Sequence, residues 1–373
     1  MKVAYIILNS FEFDSRARLE VETIGGMGHR VEIIATVGGD STEYLGFPIH
    51  RIKQYTWPSR KIRFAQFNFR AGIIGARIKA DIYHAVDLDV LSGAYWAANK
   101  TGGRLVYEAR ELYTELEPLR GRNTMKSIWR GIEQRLIGKA DKVITINESI
   151  AAELCARYGI DKPEIIRNVA KTPGKTKLFN LREKFDIPKD KNIILYQGVL
   201  RNGQGLAYQL DILRYLDNAV MIFLGKGPIE EELRRKASEN GVGDRAIFAG
   251  RVPPEVVMNY TMSADAGILL MEDVALNNRL ALPQKLFQYL GAGIPQIVSP
   301  MPEISQFVIG EDTGIVVSLD DARKAAESID SLFKNKNRYE EIKNRCKISS
   351  ERNNWERESL KLVEIYRELE KGG

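Results

Sequence analysis

Two glycine-rich segments in the second half of the chain each carry a cation. One spans residues 197–205 (QGVLRNGQG) and the other spans residues 225–228 (GKGP), and both lie between an apolar run and a helical pattern. Glycine lets the backbone approach a phosphate closely, and the free amides at a helix start favour anions. The loops therefore suit a phosphorylated ligand, although a tight strand-to-helix turn needs glycine for its shape alone. The candidate contacts are Gly198, Arg201, Gly203, Gly205, Gly225 and Lys226.

A third segment, residues 277–295, reads as a loop, a helix beginning at or near Pro283, and a glycine stop before a strand. Lys285 and Gln288 are three residues apart, so they share one face of that helix. The helix dipole and Lys285 could hold a diphosphate, and Gln288 could reach a ribose hydroxyl. A surface helix with two solvated polar side chains is the alternative.

These segments belong to a repeated alternation of short apolar runs with helical stretches. Such alternation predicts parallel sheets with helices on both faces, and ligands of these sheets bind at the carboxyl ends of the strands. A helical stretch also precedes the second predicted strand, and another lies at residues 124–138. The predicted strands cover residues 3–8, 31–36, 49–52, 81–85, 104–108, 142–146, 192–197, 220–225, 246–249, 266–270 and 295–299.

The length of 373 residues is too great for one ordinary core and predicts two domains. A polar, turn-rich stretch at residues 168–177 marks the join between them. The sequence predicts a first Rossmann-like domain at residues 1–168 and a second at 169–352. The last segment, residues 353–373, is amphipathic, and no predicted strand of the second domain follows it. We therefore expect a helix that packs back on the first domain.

The positive charge is unevenly distributed. The formal charge is +6, yet residues 51–79 carry eight cations and no acid, with aromatic residues among them. Cations next to aromatic rings suit an anionic membrane surface. Nucleic acid is a competing partner for such a segment, but we do not expect it. A solvated helix face whose aromatic side chains lie in the core is equally compatible with this pattern. The eight cations are Arg51, Lys53, Arg60, Lys61, Arg63, Arg70, Arg77 and Lys79.

The composition excludes several other classes of protein. Hydrophobic residues make up 44% of the chain and charged residues 28%, which is ordinary for a globular protein and not for a disordered one. No apolar run reaches the roughly 18 residues of a spanning helix, and the first residues do not form a signal peptide. Cys155 and Cys346 lack metal-ligand spacing, so we expect a reduced, cytoplasmic protein, peripheral at the inner face of a membrane where it meets its acceptor.

Residues 283–295 (PQKLFQYLGAGIP), followed by IVS and PEI, resemble the donor-binding signature of the family 4 glycosyltransferases, which are retaining enzymes of the GT-B fold. The likeness is to the branch that reads Asn, a few residues, Ala-Leu-Pro-Asn-Lys-Leu-Phe-Glu-Tyr and Ala-Gly-Ile-Pro. Segments of the first half resemble the same family in order: DSR at 14–16, HAVDLD at 84–89, EARELY at 108–113 and INESI at 146–150. The closing Trp355, Glu356 and Tyr366 resemble its returning helix.

The resemblance implies two Rossmann-like domains facing each other across a cleft, with the nucleotide-sugar donor on the second domain. It adds Asn278, Leu282, Pro283 and Leu286 to the donor side, beside Lys285 and Gln288. On the acceptor side it implies Asp14, Ser15, Arg16, His84, Asp87 and Asp89, although a structural role for His84 is as compatible. Arg110 and Glu111 are the candidate catalytic residues, as contacts to a sugar rather than as a general base.

Five positions depart from the family pattern. Gln288 and Leu280 stand where the family has two glutamates, and the basic pair of the first glycine loop falls on Val199 and Gln204. Arg110 stands at a position where a histidine is common. A glutamine can donate and accept hydrogen bonds, but it cannot supply the charge-assisted ones that a glutamate forms, which are roughly twice as strong.

The function expected from these features is a retaining, metal-independent glycosyltransferase of hexosyltransferase type, with no cofactor beyond its nucleotide-sugar substrate. Its acceptor would be a glycan or a lipid-linked precursor of a polysaccharide. The substituted motif positions leave open a non-catalytic nucleotide-sugar-binding protein or partner subunit. A sugar-nucleotide epimerase of the same architecture is a third alternative.

Overall fold

The computed structural model describes residues 1–38, 41–53, 62–174 and 180–371. The chain divides into two compact units. Unit 1 comprises Met1–Arg167 and Arg357–Gly373, and unit 2 comprises Asn168–Glu356. In the ranges described, no helix combines the length and the apolar character needed to cross a membrane.

Unit 1 is built on an eight-stranded sheet. The strand order is β3-β4-β2-β1-β5-β6-β7-β8, and all neighbours pair in parallel except β3 with β4. The strands are β1 (Lys2–Ile6), β2 (Arg30–Thr36), β3 (Glu43–Tyr44), β4 (Phe47–Ile52), β5 (Ile82–Val86), β6 (Arg104–Ala109), β7 (Lys142–Thr145) and β8 (Glu164–Ile165). The helices are α1 (Ser15–Gly26), α2 (Ile62–Ile78), α3 (Leu88–Thr101), α4 (Asn123–Leu136), α5 (Glu148–Tyr158) and most of the last helix, α15 (Trp355–Lys371).

Unit 2 is built on a six-stranded, fully parallel sheet with the order β11-β10-β9-β12-β13-β14. Its strands are β9 (Asn192–Gln197), β10 (Ala219–Leu224), β11 (Ala246–Gly250), β12 (Ala266–Leu269), β13 (Gln296–Val298) and β14 (Gly314–Val316). Its helices are α6 (Leu181–Lys184), α7 (Leu206–Leu213), α8 (Glu230–Glu239), α9 (Pro254–Met262), α10 (Leu276–Leu280), α11 (Gln284–Ala292), α12 (Pro302–Glu311), α13 (Ala322–Lys334) and α14 (Lys336–Arg352).

The central strands of both sheets are mostly hydrophobic because helices cover both faces. Every residue of β5 and of β10 is buried. In each sheet the strand order reverses direction next to the first strand of the unit, between β1 and β5 and between β9 and β12. Parallel sheets bind ligands at such a switch point, outside the carboxyl ends of the strands.

The predicted Rossmann-like fold class is confirmed in both units. Each predicted strand occurs within two residues of its predicted bounds, and the helices predicted at residues 124–138 and at the C-terminus are α4 and α15. Three short strands, β3, β8 and β14, are missing from the prediction. Part of the predicted basic segment (residues 54–61) and part of the predicted join (residues 175–177) lie outside the described residues.

Candidate active site

The two glycine-rich loops of unit 2 lie side by side at the carboxyl ends of β9 and β10. Gly198 donates its amide to Leu224 O at 3.0 Å, and Leu200 donates to Lys226 O at 3.1 Å. Gly225 has φ +154°, and a Cβ atom at this position would lie 1.9 Å from Gly198 O. The backbones approach so closely that only glycine fits, which brings the two predicted phosphate loops into one surface.

Lys285, in the first turn of α11, points under the first of these loops. Its Nζ donates to Gln204 Oε1 at 2.8 Å and lies 4.5 Å from the centre of the Tyr196 ring. A Cβ atom on Gly198 would be 3.2 Å from the same Nζ. Burial, and then the nearby Arg201 guanidinium, lower the pKa of Lys285 to about 7. In the part of the chain that the structure describes, the ammonium is held by the Gln204 amide oxygen, the Tyr196 ring face and the Tyr196 hydroxyl 3.3 Å away, and no carboxylate is hydrogen-bonded to it.

Arg201 and Lys226 are exposed in the two loops, and in the described ranges neither side chain forms an ion pair. Gly203 and Gly205 have positive φ angles of +78° and +60°. A Cβ atom on Gly205 would lie 2.1 Å from Leu270 O, so this glycine closes the loop against the end of β12. Together with Lys285, the loops offer cations and no acid to a ligand at the switch point.

The other donor-side candidates support the loops from behind. Asn278 is buried, and its Nδ2 donates to Gly203 O at 3.3 Å and to Glu272 O at 3.1 Å. Leu282 and Leu286 are buried in the core, and Pro283 directly precedes α11 as its N-cap residue. Gln288 is half-buried one turn after Lys285, and its Oε1 accepts a hydrogen bond from Gln197 Nε2.

Several candidates of unit 1 meet in a buried ionic cluster rather than on the surface. Arg110 donates from Nη1 to both carboxylate oxygens of Asp14 at 3.1 and 3.0 Å, and from Nε to Glu108 Oε2 at 3.0 Å. Its Nη2 lies 2.9 Å from the Tyr5 hydroxyl and 3.1 Å from Glu20 Oε2. The Arg110 side chain is therefore fully occupied by partners within unit 1.

Arg16 is the second guanidinium of this cluster. It donates to Glu108 Oε1 at 2.6 Å, pairs with Glu20 at 2.8 Å, and reaches the carbonyl of Arg167 at 2.9 Å. Burial would raise the pKa of Glu108, but Arg110 and Arg16 hold it well below the usual range of a glutamate. The cluster is thus an alternating set of buried charges in which each guanidinium bridges several carboxylates.

His84 and the residues at the start of α1 also contact members of this buried cluster. His84 Nδ1 lies 2.8 Å from the hydroxyl of Tyr366 on α15, and its Nε2 lies 3.5 Å from Glu108 Oε2. Ser15 begins α1, and Asp14 caps that helix by accepting from Ala17 N at 2.9 Å. These contacts give His84 and Asp14 structural partners, and their acceptor-side roles stay predictions.

Glu20, His84 and Glu108 offer atoms within 4.8 Å of one another, a grouping that could hold a metal ion. Both carboxylates, however, already pair with Arg16 and Arg110 at 2.6–3.1 Å. A divalent cation here would displace two guanidinium groups, so the chemistry of this donor set favours the ion pairs.

A second set of carboxyl groups, outside the ionic cluster, lies at the carboxyl ends of β5 and β6. Asp87 has φ +66°, and its Oδ1 accepts from Arg110 N at 3.0 Å. Burial raises the pKa of Asp87 well above that of a free aspartate. Burial, and also the Glu111 carboxylate, raise the pKa of Asp89 to about 7, against the opposing effect of the Tyr113 hydroxyl 3.4 Å away. These half-buried groups can accept hydrogen bonds from the hydroxyls of a ligand.

Sequence analysis missed three polar residues next to Lys285 and Gln288. Gln204 holds the Lys285 ammonium, and Gln197 and Thr261 form a buried hydrogen-bonded chain to Gln288. Gln197 carried a signal, because a polar residue ends an apolar strand directly before Gly198. Thr261 carried none, since a threonine within a helix is common.

Comparison with known proteins agrees with this geometry. The family described as Glycosyl transferases group 1 matches residues 179–348, and the family described as Glycosyltransferase Family 4 matches residues 21–171. The two matches together span most of both units. The chain is a family 4-like glycosyltransferase of the GT-B class. No curated protein matches it significantly.

Solved structures show the same fold at low sequence identity. Sucrose-phosphate synthase from Thermosynechococcus elongatus matches with a TM-score of 0.82 and 16% identity over 100% of both chains. A glycosyltransferase from Rickettsia africae matches with a TM-score of 0.76 and 16% identity, over 100% of this chain and 99% of that one. HepE of Anabaena, solved with UDP-glucose, matches with a TM-score of 0.78 and 13% identity, over 99% and 100%. At these identities the likeness establishes the fold, and the details of the reaction rest on the site.

Proposed function

We propose that this glycosyltransferase takes its sugar from a nucleoside diphosphate donor, that the diphosphate binds unit 2, and that no metal ion is required. The observation that carries this proposal is Lys285, which is held beneath the Gly198 loop, has no carboxylate partner within the described ranges, and is accompanied by Arg201 and Lys226. A diphosphate leaving group gains negative charge as the glycosidic bond breaks. Cations fixed in advance where that charge develops stabilise the transition state.

The acceptor is proposed to present a hydroxyl group of a glycan or of a lipid-linked glycan. Asp87, Asp89 and Glu111 lie at the carboxyl edge of the unit 1 sheet, and carboxylates accept hydrogen bonds from sugar hydroxyls. We also propose retention of the anomeric configuration, which the family resemblance implies. The anomeric configuration of the new glycosidic bond, compared by NMR with that of the donor, tests this point directly.

The donor proposal predicts stabilisation by the correct nucleotide. Thermal unfolding should be measured with UDP, GDP and ADP and with their glucose or mannose esters, in buffer containing EDTA. A ligand at 100 times its Kd adds about 2.7 kcal/mol to the free energy of unfolding. We expect one base to stabilise the protein and its sugar esters to be hydrolysed or transferred. Failure of every nucleotide, with and without Mg²⁺, would contradict the proposed donor site; stabilisation only with Mg²⁺ would contradict metal independence.

Contact with an anionic membrane is proposed for a face formed by α2 and α3, which we call the basic-aromatic face. Phe69 is 71% exposed and Trp96 is 46% exposed, and Lys100 lies 5.4 Å above the Trp96 ring. Asp89 is the only acidic residue of these two helices. Phe67, by contrast, is fully buried, and Arg51 pairs with Glu12 and backbone carbonyls. Only part of the predicted segment 51–79 therefore belongs to this face.

Removing two cations of this face should weaken binding to anionic vesicles. Each cation contributes about 1 kcal/mol near an anionic surface, so Arg77→Gln with Lys100→Gln should lower the partition coefficient roughly 30-fold. Co-sedimentation with vesicles containing phosphatidylserine measures it, and salt should weaken the binding. Arg235→Gln with Lys336→Gln, exposed cations of unit 2, is a control with the same loss of charge. Equal losses in both pairs would show an effect of net charge instead of this face.

A further inference from the structure

A buried hydrogen-bonded chain of three polar side chains ends at the donor site of unit 2. The Thr261 hydroxyl on α9 donates to Gln197 Oε1 at 2.7 Å, and Gln197 Nε2 donates to Gln288 Oε1. Thr261 is fully buried, and Gln197, the last residue of β9, is 4% exposed. None of the three side chains contacts the Lys285 ammonium, so this row of hydrogen bonds is separate from the contacts of the lysine.

The direction of this chain determines what Gln288 offers to a ligand. An amide has an accepting end and a donating end, and a bond at one end fixes the orientation of the other. Because the Thr261 proton points to Gln197 Oε1, the Gln197 amide group turns its NH₂ toward Gln288. The Gln288 carbonyl oxygen then faces Gln197 and accepts its hydrogen bond. The Gln288 NH₂ group forms no hydrogen bond with any described part of the protein.

We propose that Thr261 and Gln197 are positioning residues that hold the Gln288 amide with its NH₂ group toward the ribose of the bound nucleotide. Gln288 lies one helical turn after Lys285, on the same face of α11. When the diphosphate lies at Lys285, the next group of the nucleotide is the ribose. The hydroxyl oxygens of that ribose accept the hydrogen bond that the oriented NH₂ group donates. This inference rests on the proposed donor site.

The alternative role for the same residues is structural. The Thr261 hydroxyl also lies 2.9 Å from Val257 O, a bond that many helical threonines form without any function. A hydroxyl has one hydrogen, so donation to Val257 would release the Gln197 amide to rotate. The two roles differ in one measurable property, because only the positioning role makes Thr261 affect the preference for ribose over deoxyribose.

Calorimetry with UDP and with 2′,3′-dideoxy-UDP tests the proposal. The wild type should bind UDP roughly 3- to 10-fold more tightly, the factor that one hydrogen bond provides. Thr261→Val should lower that ratio to about 1–2 by weakening UDP alone, and Thr261→Ser should restore it. In a Gln288→Met background, Thr261→Val should have no further effect on the ratio, because its action passes through residue 288.

The matched control is Thr23→Val in unit 1, where the hydroxyl donates to the carbonyl four residues earlier, Leu19 O at 2.8 Å. It should leave both affinities unchanged. If Thr261→Val does not fold, Gln197→Met provides the same loss of orientation from the strand side. Equal weakening of both ligands by either variant, or a wild type that binds both ligands equally, would overturn the positioning role. If UDP does not bind but GDP or ADP does, the same comparison is made between that nucleotide and its 2′,3′-dideoxy form. If no nucleotide binds, the proposed donor site itself is wrong.

Discussion

Replacing Arg110 by methionine is expected to lower the free energy of unfolding of unit 1 by about 3–5 kcal/mol, the usual cost of removing one partner from a buried ion pair. The variant leaves the Asp14 carboxylate without its guanidinium and removes one of the two guanidinium groups that pair with Glu20 and with Glu108, in an interior where Tyr5, Glu20 and Glu108 are buried. Methionine fills a similar volume, so the loss reports the charge and not a cavity.

Hydrogen exchange of the β5 and β6 amides, followed by mass spectrometry, measures unit 1 separately from unit 2. Arg104→Met is the matched control, since this arginine begins β6, the strand that ends directly before Arg110, and in the described ranges it has no ion pair. We expect the control to change the free energy of unfolding by less than about 0.5 kcal/mol. A similar small change for Arg110→Met would mean that the carboxylates find other partners.

The pH dependence of that difference has a definite sign. The pKa of Glu108 in the folded protein is well below its unfolded value of about 4.3, because Arg110 and Arg16 outweigh the effect of burial. Ionised Glu108 therefore stabilises the wild type above pH 4.3, and this contribution is lost as the pH falls through the folded pKa. The gap between the wild type and Arg110→Met should be largest near pH 7 and should shrink on acidification. A gap that widens in acid would contradict the assignment.

The fold could be predicted from the sequence because its strands are continuous apolar runs that alternate with helices. The runs at β9 and β10 (NIILYQ and AVMIFL) are the pattern of strands buried on both faces. The missed strands β3, β8 and β14 are two or three residues long and only partly buried. Pairing with a neighbouring strand, and not their own composition, determines them.

The ionic cluster could not be predicted, because its partners come from distant parts of the chain. Arg16 and Glu108 are 92 residues apart, and His84 and Tyr366 are 282 apart. The sequence identified Asp14, Arg16, His84 and Arg110 as candidate site residues; His84 lies within β5, Arg110 follows β6, and Asp14 and Arg16 lie at the start of α1. It could not show that they form ion pairs and hydrogen bonds with buried partners such as Glu108 and Tyr366.

Gln204 illustrates the same limit in unit 2. The family resemblance implies that a basic residue is usual at this position, so the sequence comparison suggests that a cation has been lost here. In the structure it is 5% exposed and its Oε1 accepts from Lys285 Nζ. A lysine at position 204 would place a second ammonium beside the first. The structure places the Lys285 ammonium of α11 at this loop, where the glutamine accepts its hydrogen bond.

Replacing Lys285 by methionine is expected to weaken binding of the nucleoside diphosphate by about 1.5–3 kcal/mol, roughly 10- to 150-fold. A hydrogen bond to a charged group has this value, and among the described residues no carboxylate is hydrogen-bonded to the Lys285 Nζ and would compete with the phosphate. Isothermal calorimetry with the free diphosphate measures the effect without any contribution from the sugar or the acceptor. Lys226→Met, in the exposed neighbouring loop, should cost less because solvent screens its charge.

The affinity of the wild type should also depend on pH, with a sign that follows from Lys285. Burial and Arg201 lower its pKa to about 7 in the free protein, so above pH 7 the lysine is mostly neutral. A bound diphosphate favours the charged form and raises that pKa, so binding takes up a proton. Affinity should be nearly constant just below pH 7 and should fall above it, by at most about tenfold per pH unit.

Lys285→Arg separates the charge from its titration, because arginine stays protonated at every pH of the experiment. This variant should keep part of the affinity and lose the decrease between pH 7 and 9, whereas Lys285→Met should be weak at every pH. The other titratable group against the ammonium is the Tyr196 hydroxyl, whose pKa is raised by burial and which stays neutral in this range. A decrease that persists in Lys285→Arg would have to come from another group, and the phosphate contact would then lose its main support.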